Sequence, residues 1–321
     1  MDAPPVNAVS AENDRGWAAL LGILTLAFVL RLTGVWFGLP FSYHADEPIV
    51  VHHALAYGAG DLNPHFFRIP PLISYLLFGC YGLIFVFGKL TGIFSGLPEF
   101  EKLFFRDPSM FYLTGRLIFG VLLGTATVYF YDRLLRRISA GFVATAAALL
   151  LAVNPLHVRD SHYLYADIPL LLVMVLFFLS LFSSEEKFGR TGTHVKLGVW
   201  IGLASAVKYN GCLLAVPYLI SWWRLAPKDK KTGTLLSCFS AAGLTCAALN
   251  PFSLIDFRFF TQEMIREAAA HGGAGWTHHL VYSLASAMGW PLVAAAMGGI
   301  AYAMFRGNSW ERNLAIFTVT Y

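Results

Sequence analysis

Charge is what this sequence has least of. Asp, Glu, Lys and Arg make up 13% of the residues and apolar types 57%, and the mean hydropathy is +0.59. Soluble domains carry charge on about a quarter of their residues, so a water-soluble globule is excluded. Cysteine is also scarce. Cys80, Cys212, Cys238 and Cys246 sit singly inside apolar segments, with no CxxC, which leaves no disulfide framework and no thiolate metal site. They read as buried thiols. Lys and Arg come in groups of two to four beside apolar runs, so nucleic acid finds no continuous basic stripe. There is no internal repeat, low-complexity tract or soluble domain. A cleavable signal is missing too: residues 1–16 hold Asp2, Glu12 and Asp14 against Arg15, and the apolar run from Trp17 to Phe37 is about 21 residues long. That length crosses a hydrocarbon core of ~30 Å as a helix, whereas signal-peptide cores run to about 7–15 residues. It reads as an uncleaved first span behind a cytoplasmic tail, residues 1–16.

What the chain has is a succession of further apolar runs, at 70–93, 110–131, 139–155, 168–184, 196–207, 210–223, 234–249 and 281–305, with a last one from Leu314 to Tyr321. Backbone polar groups in lipid must be satisfied internally, so runs of this length are helices. The expected fold class is an all-α polytopic membrane protein, with residues 17–321 as one transmembrane domain that continues past Tyr321.

Orientation follows from the sided placement of Lys and Arg. The groups Arg133/Arg136/Arg137, Lys187/Arg190/Lys196, Arg224/Lys228/Lys230/Lys231 and Arg306/Arg312 share the cytoplasmic side with the N-terminus only if 70–93 does not cross. That arrangement puts 13 Lys/Arg inside and 8 outside, with Arg31 and Arg116 inside spans. It also gathers nine of the ten histidines on the outer face, leaving His194 inside. The run 70–93, opened by Pro70-Pro71 and broken by Gly79 and Gly82, is therefore expected to be juxtamembrane or re-entrant. Three outer loops result: 38–109, 156–167 and 250–280.

Most of the titratable chemistry falls in these loops. The first brings His44, Asp46, Glu47, His52, His53, Asp61, His65 and Arg68, with Pro48 to Gly58 as a short interfacial helix. Carboxylates at a helix start commonly do no more than cap it, but two of them behind His44 at a membrane surface suggest more. The second, Asn154 to Pro169, carries His157, Arg159, Asp160, His162 and Asp167. Turn chemistry accounts for its Asn-Pro and for an Asp before Pro, but not for two His, one Arg and two Asp within eleven residues. Lys208 stands at the outer end of two helices, where snorkelling is the plain alternative. Arg116 lies inside an apolar helix, a costly place that marks either function or a buried partner such as Asp107 or Asp167. The late loop, with Asp256, Arg258, Glu263, Arg266, Glu267, His271, His278 and His279 among Phe257, Phe259 and Phe260, reads as an interfacial amphipathic piece.

Carboxylates beside Arg and Lys at a membrane surface suit transfer of a group from a lipid phosphate. A carboxylate takes the acceptor hydroxyl's proton as that oxygen attacks the donor carbon. The leaving phosphodiester becomes a monoester and gains charge, which Arg and Lys stabilise.

Five motifs in order carry a resemblance: Asp46-Glu47 after one span, Pro70-Pro71-Leu72 leading to Tyr75-Leu76, Gly115-Arg116-Leu117, Tyr165-Ala166-Asp167-Ile168-Pro169, and Val207-Lys208-Tyr209-Asn210-Gly211. The chain, from about residue 17 to 305, resembles the family-39-type glycosyltransferases of the GT-C superfamily, the group of the protein O-mannosyltransferases and the lipid A aminoarabinose transferase. The resemblance implies a GT-C-type helix bundle with juxtamembrane helices in the first outer loop. It implies an inverting transfer from a polyprenyl-phosphate sugar to an acceptor hydroxyl on the extracytoplasmic face of the cell membrane. By it, Asp46 is the general base, Glu47 helps position the acceptor, and Asp167 is a second acidic residue with Asp160 as its rival. Arg116 and Lys208 face the donor phosphate, with Arg68 and Arg159 as further candidates. Arg68-Ile69-Pro70 stands where the aminoarabinose transferase has Glu-Lys-Pro and the mannosyltransferases His-Pro-Pro, so sugar and acceptor do not carry over.

A divalent metal (Zn, Mn or Mg) stays optional: His44, His157 and His162 with Asp46, Glu47 and Asp160 supply suitable donors, at no recognised spacing. Two other readings stand beside the enzyme, a transporter or flippase of lipid-linked sugars and an inactive GT-C-like scaffold. A transporter calls for paired broken helices or repeats, which the sequence does not show.

Overall fold

The structure, a computed structural model, describes residues 6–270 and 284–321. His271, His278 and His279 of the late loop lie outside the described residues. Helices and short turns make up the whole of it, and no strand occurs among the described residues, as the apolar runs require.

The first helix, α1 (Val6–Leu32), is followed by α2 (Glu47–Ala56), α3 (Leu72–Leu90) and α4 (Leu97–Arg106) in the first loop. Next comes a long helix, α5 (Ser109–Leu135), whose stretch Arg116–Leu122 is wound as a π-helix. Then α6 (Gly141–Ala152), the short α7 (Pro155–Asp160), α8 (Asp167–Phe182), α9 (Thr191–Val207), α10 (Ala215–Leu225) and α11 (Lys231–Leu249) follow. The late loop holds α12 (Phe252–Ile255) and α13 (Phe257–Ala270), and α14 (Ala285–Met288), α15 (Trp290–Arg306) and α16 (Ser309–Thr320) complete the described chain. Of these, α3, α5 and α11 are long and apolar enough to cross a membrane, while Gly16–Leu32, α6 and α8 are shorter apolar helices.

One expectation is corrected. Residues 70–93 are not broken at Gly79 or Gly82, because α3 runs unbroken through both. A glycine inside an apolar helix costs only about 1 kcal/mol, less than leaving main-chain groups unpaired away from water. Contacts of α3 are with α2, with the start of α5 and with α9, and the Tyr81 hydroxyl donates to the Phe111 carbonyl.

Close approach of helices rests on small residues, as expected where lipid removes the hydrophobic drive. Gly198 and Gly202 form a Gly-x-x-x-Gly face on α9 that lies directly on α11, with the Cys238 and Ala242 carbonyls where a Cβ would stand. Gly120 and Gly124 repeat the pattern on α5, where Gly120 meets the Ser161 main chain beyond α7 and Gly124 meets the Ser161 hydroxyl and the Arg31 side chain. A large core links α2, α3, α5, α8 and α9 through Leu77, Phe111, Leu164, Phe177 and Leu197, and a smaller one joins α1, α5 and α6 through Ala27, Val128 and Ala148.

The helices alternate in direction, so the bundle has two chemically distinct ends. One gathers Asp46, Glu47, Asp160, Asp167 and Lys208, with Tyr321 brought to Asn210 beside them. The other gathers Arg133, Arg136, Arg137 and Lys196, and there Arg224 reaches the Ser309 carbonyl and the Trp310 indole donates to Glu185.

Candidate active site

The acidic end is built on one buried ion pair. Glu47 opens α2, and Arg116 opens the π-helical stretch of α5. Both are buried, at 0% and 1% exposure, and the guanidinium donates through Nε and Nη2 to the two carboxylate oxygens, 2.7 Å each. Arg116 Nη1 adds the carbonyls of Val35 and Phe37, both at 2.8 Å. Glu47 also accepts from the Leu164 N–H at 2.8 Å and from the Ser42 hydroxyl at 3.1 Å. Desolvating two charges is costly, and only this degree of hydrogen bonding offsets it. The knot ties four separated stretches together: the end of α1, the start of α2, α5, and the link between α7 and α8.

Asp46 is thereby placed. It is the N-cap residue of α2, yet its side chain makes no capping hydrogen bond, so the capping alternative does not describe it. Successive helical residues point about 100° apart; with Glu47 turned inward, Asp46 is half-exposed at the surface of the acidic end. Its own N–H donates to His44 Nδ1 at 3.3 Å. The His44 ring lies 4.9 Å from the Tyr163 ring and 5.6 Å from that of Tyr165.

Next to these aromatic residues is a cleft of about 110 Å³ lined by His44, Arg159, Asp160, Tyr163, Tyr165 and Asp167. Lys208 Nζ donates to Asp167 at 2.6 Å and lies 5.1 Å from the centre of the Tyr165 ring. Its pairing replaces the snorkelling alternative. Asp160 accepts from its neighbour Arg159 at 2.8 Å. Burial raises the Asp160 carboxyl above the usual carboxylate range, Arg159 opposes the shift and Asp167 adds to it. Burial, with the charges of Asp46, Asp167 and Glu267, pushes the Tyr165 phenol up to about 12. Among Asp46, Glu47, Asp160 and Asp167, only Asp46 lacks a hydrogen-bonding or ion-pairing partner for its carboxylate among the described residues.

The late loop covers one flank. Arg68 faces Glu263 at 3.4 Å and Glu267 at 3.7 Å on α13, Phe67 packs against Phe259 and Phe260, and Asn63 donates to Asp256. Arg68, expected at a donor phosphate, is thus paired with acidic residues of this chain. Arg116, expected there as well, does not reach the cleft, and its partner is Glu47 rather than Asp107 or Asp167. Asp107 instead accepts from the Ser109 N–H, and Asp167 holds Lys208. Lys208 and Arg159 are the cations that the structure brings to the cleft.

The three histidines considered for a metal are not brought together. His162 uses Nδ1 on the Val158 carbonyl and Nε2 on the Thr33 carbonyl, both at 2.8 Å. His157 is buried, with Nδ1 2.7 Å from Arg31 Nη2, and burial beside that guanidinium lowers it from 6.5 to about 3. An imidazole accepting from an arginine has no lone pair there for a cation. Among the described residues no group of three His, Cys, Asp or Glu could hold a metal ion.

Sequence reasoning missed Arg31. It is fully buried and has no carboxylate partner among the described residues; it donates to the carbonyls of Ala27, Leu151 and Ala152 and to His157. It closes the carbonyl end of α6, where a cation is favoured, and binds that end and α7 to α1. Its place inside an apolar run was the available signal. The aromatic wall was missed as well: Tyr165 entered only as the first residue of a motif and Tyr163 not at all, since neither carries a charge.

No curated protein and no solved structure matches this chain. Residues 109–255 match the family model described as dolichyl-phosphate-mannose-protein mannosyltransferase, and over that stretch the chain is similar to this family of membrane glycosyltransferases.

Proposed function

We propose that the chain moves a sugar from a polyprenyl-phosphate donor to an acceptor hydroxyl on the extracytoplasmic face, with inversion and with Asp46 as general base. The observation that carries this reading is the division between adjacent carboxylates: Glu47 is spent on Arg116, while Asp46 is uncommitted beside the cleft. An unpaired carboxylate can accept a proton, whereas one holding four hydrogen bonds cannot.

The acceptor oxygen loses its proton to Asp46 and attacks the anomeric carbon from the face opposite the phosphate. The carbon–oxygen bond to the phosphodiester breaks, leaving a polyprenyl phosphate monoester with an added negative charge. Arg159, which lines the cleft, and Lys208, bonded to the lining Asp167, are the cations placed to receive it, by charge-assisted hydrogen bonds. Lys208 would exchange part of its bond to Asp167 for the phosphate, and its partial exposure allows this. The Tyr163 and Tyr165 rings offer flat apolar faces to a pyranose. This reading keeps α3, which contacts α2, the start of α5 and α9, along the membrane surface rather than across it.

The test is Asp46→Asn in proteoliposomes supplied with a radiolabelled polyprenyl-phosphate sugar, with donor binding followed in parallel. Transfer should fall by at least about 100-fold, the usual worth of a positioned base, with donor binding retained. Unchanged transfer would reject Asp46 and turn attention to Asp160 and Asp167. Label crossing the bilayer without turnover in the unaltered protein would favour a transporter.

A further inference from the structure

We infer that the basic end of the bundle carries a second binding site, for the phosphate headgroup of an anionic glycerophospholipid. Where the last turns of α5 and α8 meet α9 there is a cleft of about 520 Å³. Arg133, Arg136, Arg137 and Lys196 line it, and no carboxylate does.

A bias of Lys and Arg toward one membrane side is general and by itself requires no ligand. Convergence separates this cleft from that background: Lys187, Arg190 and Arg306 also lack side-chain partners among the described residues, but none of them lines this cavity. At the same end Arg224 donates to the Ser309 carbonyl, Arg312 to the Gly307 carbonyl, and Lys231 to the Trp223 carbonyl while lying over two indole rings. Arg137 and Lys196 have no hydrogen-bond or ion-pair partner among the described residues, although they belong to different elements and converge on one cavity. Arg136 is held in place, its Nε and Nη2 on the buried Asp132 carboxylate and Nη2 also on Thr145. Arg133 lies over the Trp17 ring. The α5 cations sit at a helix C-terminus, where the dipole favours them, but Lys196 is in the second turn of α9, where it does not. Its charge is therefore left for an external anion.

The rest of the lining is mixed, with Tyr129, Ser180 and Ser183 offering hydroxyls, and its apolar part favours a lipid over a free ion. Phe130 on α5 and Leu179 on α8 form an apolar wall beside the cations. A headgroup phosphate meeting Arg137 and Lys196, with its glycerol and first acyl carbons against that wall, satisfies both halves of the surface. Basic pockets between membrane helices suit such headgroups.

Native mass spectrometry of the purified full chain tests this, with titrations of dioleoyl phosphatidylglycerol, dioleoyl phosphatidylcholine and inorganic phosphate. Phosphatidylglycerol should bind at least about 10-fold more tightly than phosphatidylcholine. Arg137→Gln/Lys196→Gln should weaken it roughly 30-fold, as expected for two charges removed at a lipid surface. Arg224→Gln/Lys228→Gln, outside the cleft, should leave binding unchanged. Equal binding of the two lipids, or no loss in the cleft double variant, overturns the proposal. Inorganic phosphate competing as well as the lipid would replace the lipid by a free anion and overturn it too. If the double variant does not fold, Arg137→Lys should keep lipid binding and Arg137→Gln should lose it; equal binding by these two single variants counts against the site. None of these readouts depends on transfer at the acidic end.

Discussion

Replacing Arg116 with methionine separates two roles that its position allows. Methionine keeps much of the side chain's length and apolar volume but removes every donor. Glu47 would be left buried with only the Leu164 N–H and the Ser42 hydroxyl, and the Val35 and Phe37 carbonyls would lose their partner. Breaking a buried pair by deleting one member costs about 3–5 kcal/mol, because the remaining charge is stranded. At about 2–4 °C per kcal/mol for a domain of comparable size, the thermal midpoint should fall by on the order of 10 °C. The assay is thermal unfolding of the purified protein in detergent, followed by helical circular dichroism. Glu47→Gln/Arg116→Met removes both charges together and should recover part of the loss relative to Arg116→Met alone. A midpoint within about 1 °C of the unaltered protein, together with a donor KM raised more than about 10-fold, would refute the anchoring role and return Arg116 to the donor phosphate.

Three other outcomes follow from the same geometry. Gly120→Val should lower both folding yield and transfer, since the Ser161 carbonyl occupies the space of its Cβ; Gly298→Val on α15, which meets nothing, is the control, and equal yields would contradict the packing. Lys208→Met should raise donor KM at least about 10-fold through loss of a charge-assisted contact, and Lys208→Arg should restore part of it; a change confined to kcat would remove Lys208 from donor binding. His157 is neutral in the fold, with its titration pushed from 6.5 down to about 3, so its stabilising contribution is complete above pH 6.5 and is lost as pH falls toward 3. Unfolding followed against pH should show a fall over that window that His157→Gln lacks; identical profiles would place the burial elsewhere.

How much of this was legible in the sequence differs from element to element. Long apolar runs with few charges dictate helices in lipid, so the all-α bundle was readable from hydropathy alone. The continuity of α3 was not, because Gly79 and Gly82 look like breaks until the cost of an unpaired backbone in an apolar setting is weighed. Asp46 and Glu47 could be picked out as a pair, but their opposite fates could not. Which of two adjacent residues turns inward depends on where Arg116 lies in space, 69 positions along the chain from Glu47. Lys208 and Asp167 were each singled out, and their ion pair is visible only in three dimensions. Arg68 had a loop position and a charge to recommend it, and the acidic face of α13 then took it. The histidines of the second loop followed the same course: His157 and His162 hydrogen-bond to the main chain or to Arg31, so their density reflected structure rather than metal chemistry.

The π-helical stretch from Arg116 to Leu122 has a consequence for how the protein tolerates change. A π turn holds one residue more than an α turn, so α5 carries an insertion inside its own span. The wide turn absorbs that residue, so removing one there lets the stretch return to ordinary winding with Ser109 to Gly115 still close to their present alignment on Leu123 to Leu135. A single deletion in the α-wound part of α5, by contrast, turns one half by about 100° against the other and takes it off α2 or off α8. Length is thus more forgiving inside the π stretch than on either side of it.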